Sequence, residues 1–438
     1  MVRNRFWRGD GVMSIEKKLL GVNPSGIKLD YFVAMLDDTS ENDKFLDAAV
    51  DSEGNIFAIG WTAHGSTEKF LVAKYDSTGS LQWKKEANTS WTYDSRGAGI
   101  AINSADEVVI TGQTNGTYCE VMKLNNSSGN PIWRKRASIG NNYGVAINSS
   151  DEIIMAPDNA SYIYMVKIDD NGAEISNESI RGSNANQGYG RVAVDANDNI
   201  YLATRQSTSS GTGYDVQLVK FNSSNVVQWQ SVVHVSGYST YEIHGIAIDE
   251  VNNYVFVSWP ASNGYQHLSK FDTSGGYIHS KRVAAAYSAS YGEGGLDTDD
   301  DGNVYWLTPR SGSGSHGIDI HKYDHNGSLV FSRTIAKTTS AANIKWGGLT
   351  VYNNAILVTG SIKATSQTDR AALISLPSDG TLVSGSAYFT HNSTTAPSSY
   401  TVSTESPSTS YNTWTPSMAS QSYSLSSTSV SEFFESLL

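Results

Sequence analysis

Short apolar runs alternate with turns rich in Asp, Asn and Gly along most of this chain, and the alternation recurs. Seven stretches share it: AAVDSEGNIFAIG (48–60), IAINSADEVVITG (100–112), VAINSSDEIIMAP (145–157), VAVDANDNIYLAT (192–204), IAIDEVNNYVFVS (246–258), GGLDTDDDGNVYWLT (294–308) and LTVYNNAILVTG (349–360). Each reads as a strand, a tight turn and a second strand, the pattern of a β-hairpin. No stretch carries the 3.6-residue apolar period of an amphipathic helix, so helices are expected to be nearly absent.

A second signature follows each hairpin. KYDSTGSLQWKKE (74–86) returns as KLNNSSGNPIWRKR (123–136) and as KFNSSNVVQWQS (220–231). Aligned on its lysine, the repeat gives Lys74, Lys123, Lys167, Lys220, Lys270 and Lys322, with Ser375 in the seventh slot. A period of about 50 residues with four strands per unit belongs to propeller blades. The first copy places strands at 48–51, 55–61, 70–76 and 80–86, and seven such units run from Phe45 to Phe389. The sequence therefore predicts an all-β fold, a seven-bladed β-propeller of four-stranded antiparallel blades, within residues 30–389.

Two repeated positions carry the packing argument. The middle of each first strand is small, at Ala49, Ala101, Ala146, Ala193, Ala247, Gly295 and Thr350, as expected of strands crowded around an axis. In the second signature, Asp76 is expected to bond turn amides and Gly79 to supply a positive φ. Trp83, Trp133 and Trp229 would then fasten one blade to the next, with Phe331 in the same place and Ser176 and His279 as poorer fillers that predict looser packing. DYFVAMLD (30–37) copies the third-strand pattern FLVAKYD (70–76), so it is expected to add a strand to the last blade and close the ring.

The D-x-T-G-x-x-x-W pattern at Asp76–Trp83 resembles the tryptophan-docking repeat of quinoprotein propellers. The D-x-x-G-N-I hairpins resemble bacterial seven-bladed propeller repeats known as SBBP repeats. These resemblances imply the fold and carry over no cofactor ligand or catalytic residue. Separately, MSIEKKLLGVNPSG (13–26) resembles the start shared by virion structural proteins of marine bacteriophages, which implies a particle-bound protein whose residues 1–29 form an anchoring arm.

Charge and composition narrow the classes. Only 17% of the 438 residues are charged, yet the net charge is −12, which argues against a nucleic-acid partner. The single cysteine, Cys119, excludes a disulfide framework and is expected to be a small buried group. No apolar run is long enough to cross a bilayer as a helix, so no membrane insertion is expected. Residues 390–438 are dominated by Ser and Thr, too poor in apolar groups to build a core. That tail is expected to be extended or ordered only against a partner, with SVSEFFESLL as a docking peptide.

Strand topology puts the short turns on one face of the disc and the longer, variable connections on the other. The variable face would gather Trp91, Tyr93, Tyr143, Tyr189, Tyr238, Tyr241, Tyr265, Tyr287, Tyr291 and Trp346 among Asn, Ser and Gly, a composition suited to recognising a glycan or protein. DTDDDGN (297–303) sets Asp297, Asp299 and Asp301 at the first positions of a calcium loop. Tyr305 and Thr308 stand where later ligands are needed, so an elaborated β-turn is the better reading. Asp47, Arg96, Arg191, His244 and Glu293 fall at strand and loop ends near the channel mouth, a mixed set with neither an arginine triad nor an acid pair, and no catalytic residue is assigned.

The sequence reading is thus a non-enzymatic virion structural protein, tail-associated or fibre-like, in multiple copies per particle. Its partners would be other virion proteins and a host-surface glycan or protein. A surface or secreted adhesin and a carbohydrate-active enzyme are the alternatives.

Overall fold

The computed structural model describes residues 27–36, 42–64, 67–87, 95–114, 118–158, 162–180, 188–207, 214–233, 239–240, 242–262, 264–284, 294–309, 317–337, 341–364, 368–381, 389–393, 403–405, 419–420, 426–427 and 434–436. They form seven antiparallel sheets and no helix. After β1 (Val33–Met35), blade 1 holds β2 (Asp43–Val50), β3 (Ile56–His64), β4 (Thr67–Tyr75) and β5 (Leu81–Ala87). Blade 2 holds β6 (Ser95–Ile102), β7 (Val108–Thr114), β8 (Tyr118–Leu124) and β9 (Pro131–Ala137). Blade 3 is β10 (Val145–Ile147), β11 (Ile153–Met155), β12 (Ile163–Ile168) and β13 (Glu174–Ile180). Blade 4 is β14 (Gly188–Val194), β15 (Ile200–Ser207), β16 (Tyr214–Phe221) and β17 (Val227–Val233).

Blade 5 comprises β18 (Gly245–Asp249), β19 (Tyr254–Pro260), β20 (Tyr265–Asp272) and β21 (Tyr277–Ala284). Blade 6 comprises β22 (Gly295–Thr298), β23 (Val304–Pro309), β24 (Gly317–Tyr323) and β25 (Leu329–Lys337). Blade 7 takes β26 (Ala341–Tyr352), β27 (Ala355–Ala364) and β28 (Asp369–Pro377), and its outermost strand is β1, paired Val33↔Ile374 to Met35↔Ala372. The N-terminal strand therefore closes the ring, as DYFVAMLD predicts. The last unit does not supply a fourth strand of its own: β29 (Phe389–Ser393) pairs with β25 of blade 6. Innermost strands touch in circular order from β2 through β6, β10, β14, β18, β22 and β26, and β26 meets β2 again.

Apolar clusters fill the spaces between blades. Ala48, Val50, Leu357 and Leu373 lie between blades 7 and 1, and Ala49, Phe57, Ile100 and Ile102 between blades 1 and 2. Side chains of the innermost strands thus alternate between the two faces of each blade, and both faces are covered by neighbours. The small residues sit on these crowded innermost strands, as expected. They face the next blade, where converging sheets leave the least room. The cross-strand register also moves one of them: Ala49 pairs with Phe57 and Phe57 with Lys74, while in blade 6 Asp297 pairs with Tyr305 and Tyr305 with Lys322. Asp297, not Gly295, is the blade 6 counterpart. Its carboxylate accepts the Val351 amide of blade 7 at 2.7 Å.

The fastener is built as the repeat predicts. Asp76 Oδ1 accepts the Thr78 and Ser80 amides, and Gly79 has φ 86°. Each lysine stands across the strand pair from its ring, as in Lys74↔Trp83 and Lys220↔Trp229. Trp83, Trp133 and Trp229 donate their indole N–H to the carbonyls of Asn126, Asp170 and Thr273 in the next blade's turn, at 3.0–3.1 Å. The turn glycine lies under the ring: a Cβ on Gly129 would sit 2.9 Å from Trp83, one on Gly275 2.7 Å from Trp229, and one on Gly380 2.6 Å from Phe331. Phe32, just before β1, does the same for Gly79 across the seam, so ring closure uses the same joint as every other blade contact.

Ser176 does not leave the loose contact predicted for it. In the facing turn Asn225 replaces the glycine, at φ 63°, and its Nδ2 donates to Ser176 Oγ at 2.8 Å. The larger turn residue fills the space of the absent ring. A second hydrogen-bonded series links the turns between first and second strands. Ser52, Ser104 and Ser149 each donate backbone N–H and hydroxyl to Asp106, Asp151 and Asp198 of the following blade. Those aspartates occupy the left-handed region at φ 59–60° where blade 1 has Gly54, and their carboxylates stitch the short-turn face together.

Candidate functional site around the channel mouth

Each innermost strand begins at the variable-loop face, so residues at strand starts surround the mouth of the channel. Three of the five sequence candidates meet there with two further groups. Arg191, in β14, donates from Nη1 to the Tyr143 carbonyl of blade 3 at 2.6 Å and from Nε to the His244 carbonyl of blade 5 at 3.3 Å. Its guanidinium lies 5.7 Å from the Tyr143 ring centroid. His244 Nε2 and Glu242 Oε1 are 3.1 Å apart, both buried. Asp47, in β2, accepts the amide of Ala48 at 2.9 Å and that of Ile100 in blade 2 at 3.3 Å.

Burial pushes the Asp47 carboxyl up to about 7; the Ala48 and Ile100 amides and Arg191 pull it back, and Asp297 adds to the rise. Burial likewise draws the Arg191 guanidinium down, opposed by Glu242, Asp47 and Tyr143. An innermost strand has one edge without a strand partner, and its amides and carbonyls need bonds. Asp47, Asp297 and Arg191 supply them from the adjacent blades. The carboxylates accept amides and the guanidinium donates to carbonyls, an arrangement that ties adjacent blades together. Arg96 lies in β6 with its side chain outside the described residues, and Glu293 lies outside them altogether.

The recognition residues predicted from sequence are divided. Trp91, Tyr93, Tyr238, Tyr241, Tyr287 and Tyr291 fall outside the described residues, and Tyr189 is a β14 residue whose side chain does. Trp346 is only 5% exposed and packs with Leu307, Leu349 and Val358 between blades 6 and 7, so it belongs to the core and not to an open face. Tyr143 and Tyr265 are half-buried.

Tyr265 belongs to a set that the sequence reading missed. At the start of the third strand, on the same face, stand Tyr118, Tyr162, Tyr214 and Tyr265, in four consecutive blades and all half-buried. Arg136 lies 4.9 Å from the Tyr118 centroid, Arg205 4.4 Å from Tyr214 and Arg282 4.5 Å from Tyr265. The available signal was spacing from the repeat lysine: Tyr118, Tyr162 and Tyr265 each stand five places before Lys123, Lys167 and Lys270.

The acidic hairpin of blade 6 lies on the opposite face. Asp299 accepts from the Asp301 and Asn303 amides, from Tyr305 Oη at 3.0 Å, and pairs with Lys322 at 3.0 Å, while Asp297 turns toward blade 7. Asp299, Asp300, Asp301 and Asp379 border a cleft of about 350 Å³ around Lys322. Among the described residues no group of three or more His, Cys, Asp or Glu side chains is placed to hold a metal ion.

No protein-family model matches the sequence, and no curated protein matches it either. Among solved structures the chain is similar to U3-55K, with a TM-score of 0.52 at 9% identity over 80% of this chain and 100% of that one. It is also similar to the β-propeller domain of Cps50 (Swd1) from Myceliophteria thermophila, at TM-score 0.49, 10% identity, and 78% and 99% coverage. The NanB sialidase K499G mutant from Streptococcus pneumoniae aligns at TM-score 0.48, 11% identity, and 79% and 70% coverage. The likeness to U3-55K, at 9% identity, shows a shared fold and nothing finer.

Proposed function

We propose that this propeller is a non-enzymatic recognition module, a structural component of a bacteriophage particle whose variable-loop face meets a host-surface glycan or protein. The observation that carries the recognition reading is the arc of Tyr118, Tyr162, Tyr214 and Tyr265, three of them lying beneath arginines. Aromatic faces stack on sugar rings or apolar side chains, and paired guanidinium groups add donors for carboxylates or hydroxyls. A polysaccharide is the ligand this surface suits best, because aromatic ring faces match sugar rings. The mouth cluster is consistent with a non-enzymatic reading, since Asp47, Asp297 and Arg191 are engaged with backbone and Glu242 lies against His244. The particle context rests on the sequence of residues 13–26.

A glycan array paired with a turnover assay on host polysaccharide tests this proposal. Binding without product release is expected, weakened about tenfold or more when Tyr118, Tyr214 and Tyr265 are changed together to Ala. Release of cleaved product, or binding indifferent to the triple change, overturns it.

A further inference from the structure

Beyond blade 7, five short strands of the chain pair with the outer edges of earlier blades. After β29, the chain contributes β30 (Ser403–Glu405) to blade 5, β31 (Ala419–Ser420) to blade 3, β32 (Ser426–Ser427) to blade 2 and β33 (Phe434–Ser436) to blade 1. Blades 6, 5, 3, 2 and 1 thereby gain a fifth, outermost antiparallel strand, in the reverse of chain order. The pairings keep to within one residue of a common height in the repeat frame. They begin at Lys85 after Trp83, Lys135 after Trp133, Glu178 after Ser176, Ser280 after His279 and Arg333 after Phe331.

We propose that β29 to β33 act as a belt of strands that caps the propeller's outer edges, and that the same edges pair with a second copy of this chain when the belt is removed. An outermost strand presents unpaired N–H and C=O groups, the usual site of edge-to-edge association. Each belt strand is too short to hold by itself. Tethering makes each pairing intramolecular once its predecessor has formed, which raises its effective concentration. A tail poor in apolar groups suits this role, because strand addition draws on backbone hydrogen bonds rather than on a core.

Ending the chain at Pro397 tests the belt, because it removes β30 to β33 and leaves β29 in place. In native-state hydrogen exchange, outward amides of β5, β9, β13 and β21 should exchange about tenfold faster, with β25 and β17 unchanged as internal references. A peptide of residues 398–438 added in trans should restore the slow exchange. Light scattering should show the truncated chain growing in mass with concentration while the full chain does not. Unchanged exchange in those four strands overturns the proposal, as does faster exchange spread through every blade, or a truncated chain that stays monomeric at all concentrations.

Discussion

Trp83 and Gly129 form the joint between blades 1 and 2, and replacing each alone and both together tests whether ring and glycine act as one unit. Trp83 is 5% exposed, packs 5.9 Å from the Phe57 centroid and donates to the Asn126 carbonyl at 3.1 Å. Trp83→Ala removes the packing and the bond together, for a loss of about 3–5 kcal/mol. Gly129→Ala puts a Cβ 2.9 Å from the ring at φ 67°, so it carries a left-handed backbone cost of about 1–2 kcal/mol and an overpacking cost of about 1–3 kcal/mol. With the ring gone, only the backbone cost remains. The double variant should therefore be more stable than the sum of the single losses implies, by about 1–3 kcal/mol. Guanidinium unfolding followed by far-ultraviolet circular dichroism measures this cycle without relying on the tryptophan signal. Additivity within about 0.5 kcal/mol would refute the joint.

Two other changes probe the ring. Phe32→Ala should loosen the seam, at a cost of about 2 kcal/mol for a half-buried ring. Hydrogen exchange should quicken at Leu373 and Ile374 while blade 4 is unaffected; equal effects on both blades would contradict closure through this joint. Asp47 binds its proton more tightly folded than unfolded, since burial lifts its carboxyl from 3.8 to about 7. Between these values the unfolded chain is ionised while the folded chain holds its proton, so stability should fall as pH rises from about 4 to 7. The slope is at most about 1.4 kcal/mol per pH unit, reduced because part of Asp47 opens to solvent in the channel. Asp47→Asn should remove that slope. A stability difference between the two proteins that is constant across the range would argue against it.

The repeat was legible because each blade must solve the same local problem with the same residues. Asp76 and Gly79 declare a turn, Trp83 declares a ring to be buried, and their recurrence counts the blades. Legibility failed where two distant residues share one space. Ser176 reads as a gap until Asn225 is seen to fill it. Gly295 reads as the small residue of blade 6 until strand register gives that place to Asp297, whose carboxylate serves the next blade. Trp346 reads as a loop aromatic because alternation cannot tell which face of β26 meets blade 6.

By itself the sequence determined the all-β class, the seven units, the turn chemistry and the N-terminal strand that closes the ring. All of these follow from short-range patterning and hairpin geometry. Only the tertiary structure decided that Asp47, Asp297 and Arg191 at the channel mouth bond neighbouring backbones, that tyrosines of blades 2 to 5 stand at matching third-strand starts, and that β29 to β33 add to the outer edges of five blades. Each of these depends on bringing together residues about 50 or more positions apart, and a linear pattern does not encode the angle between adjacent sheets that sets those distances.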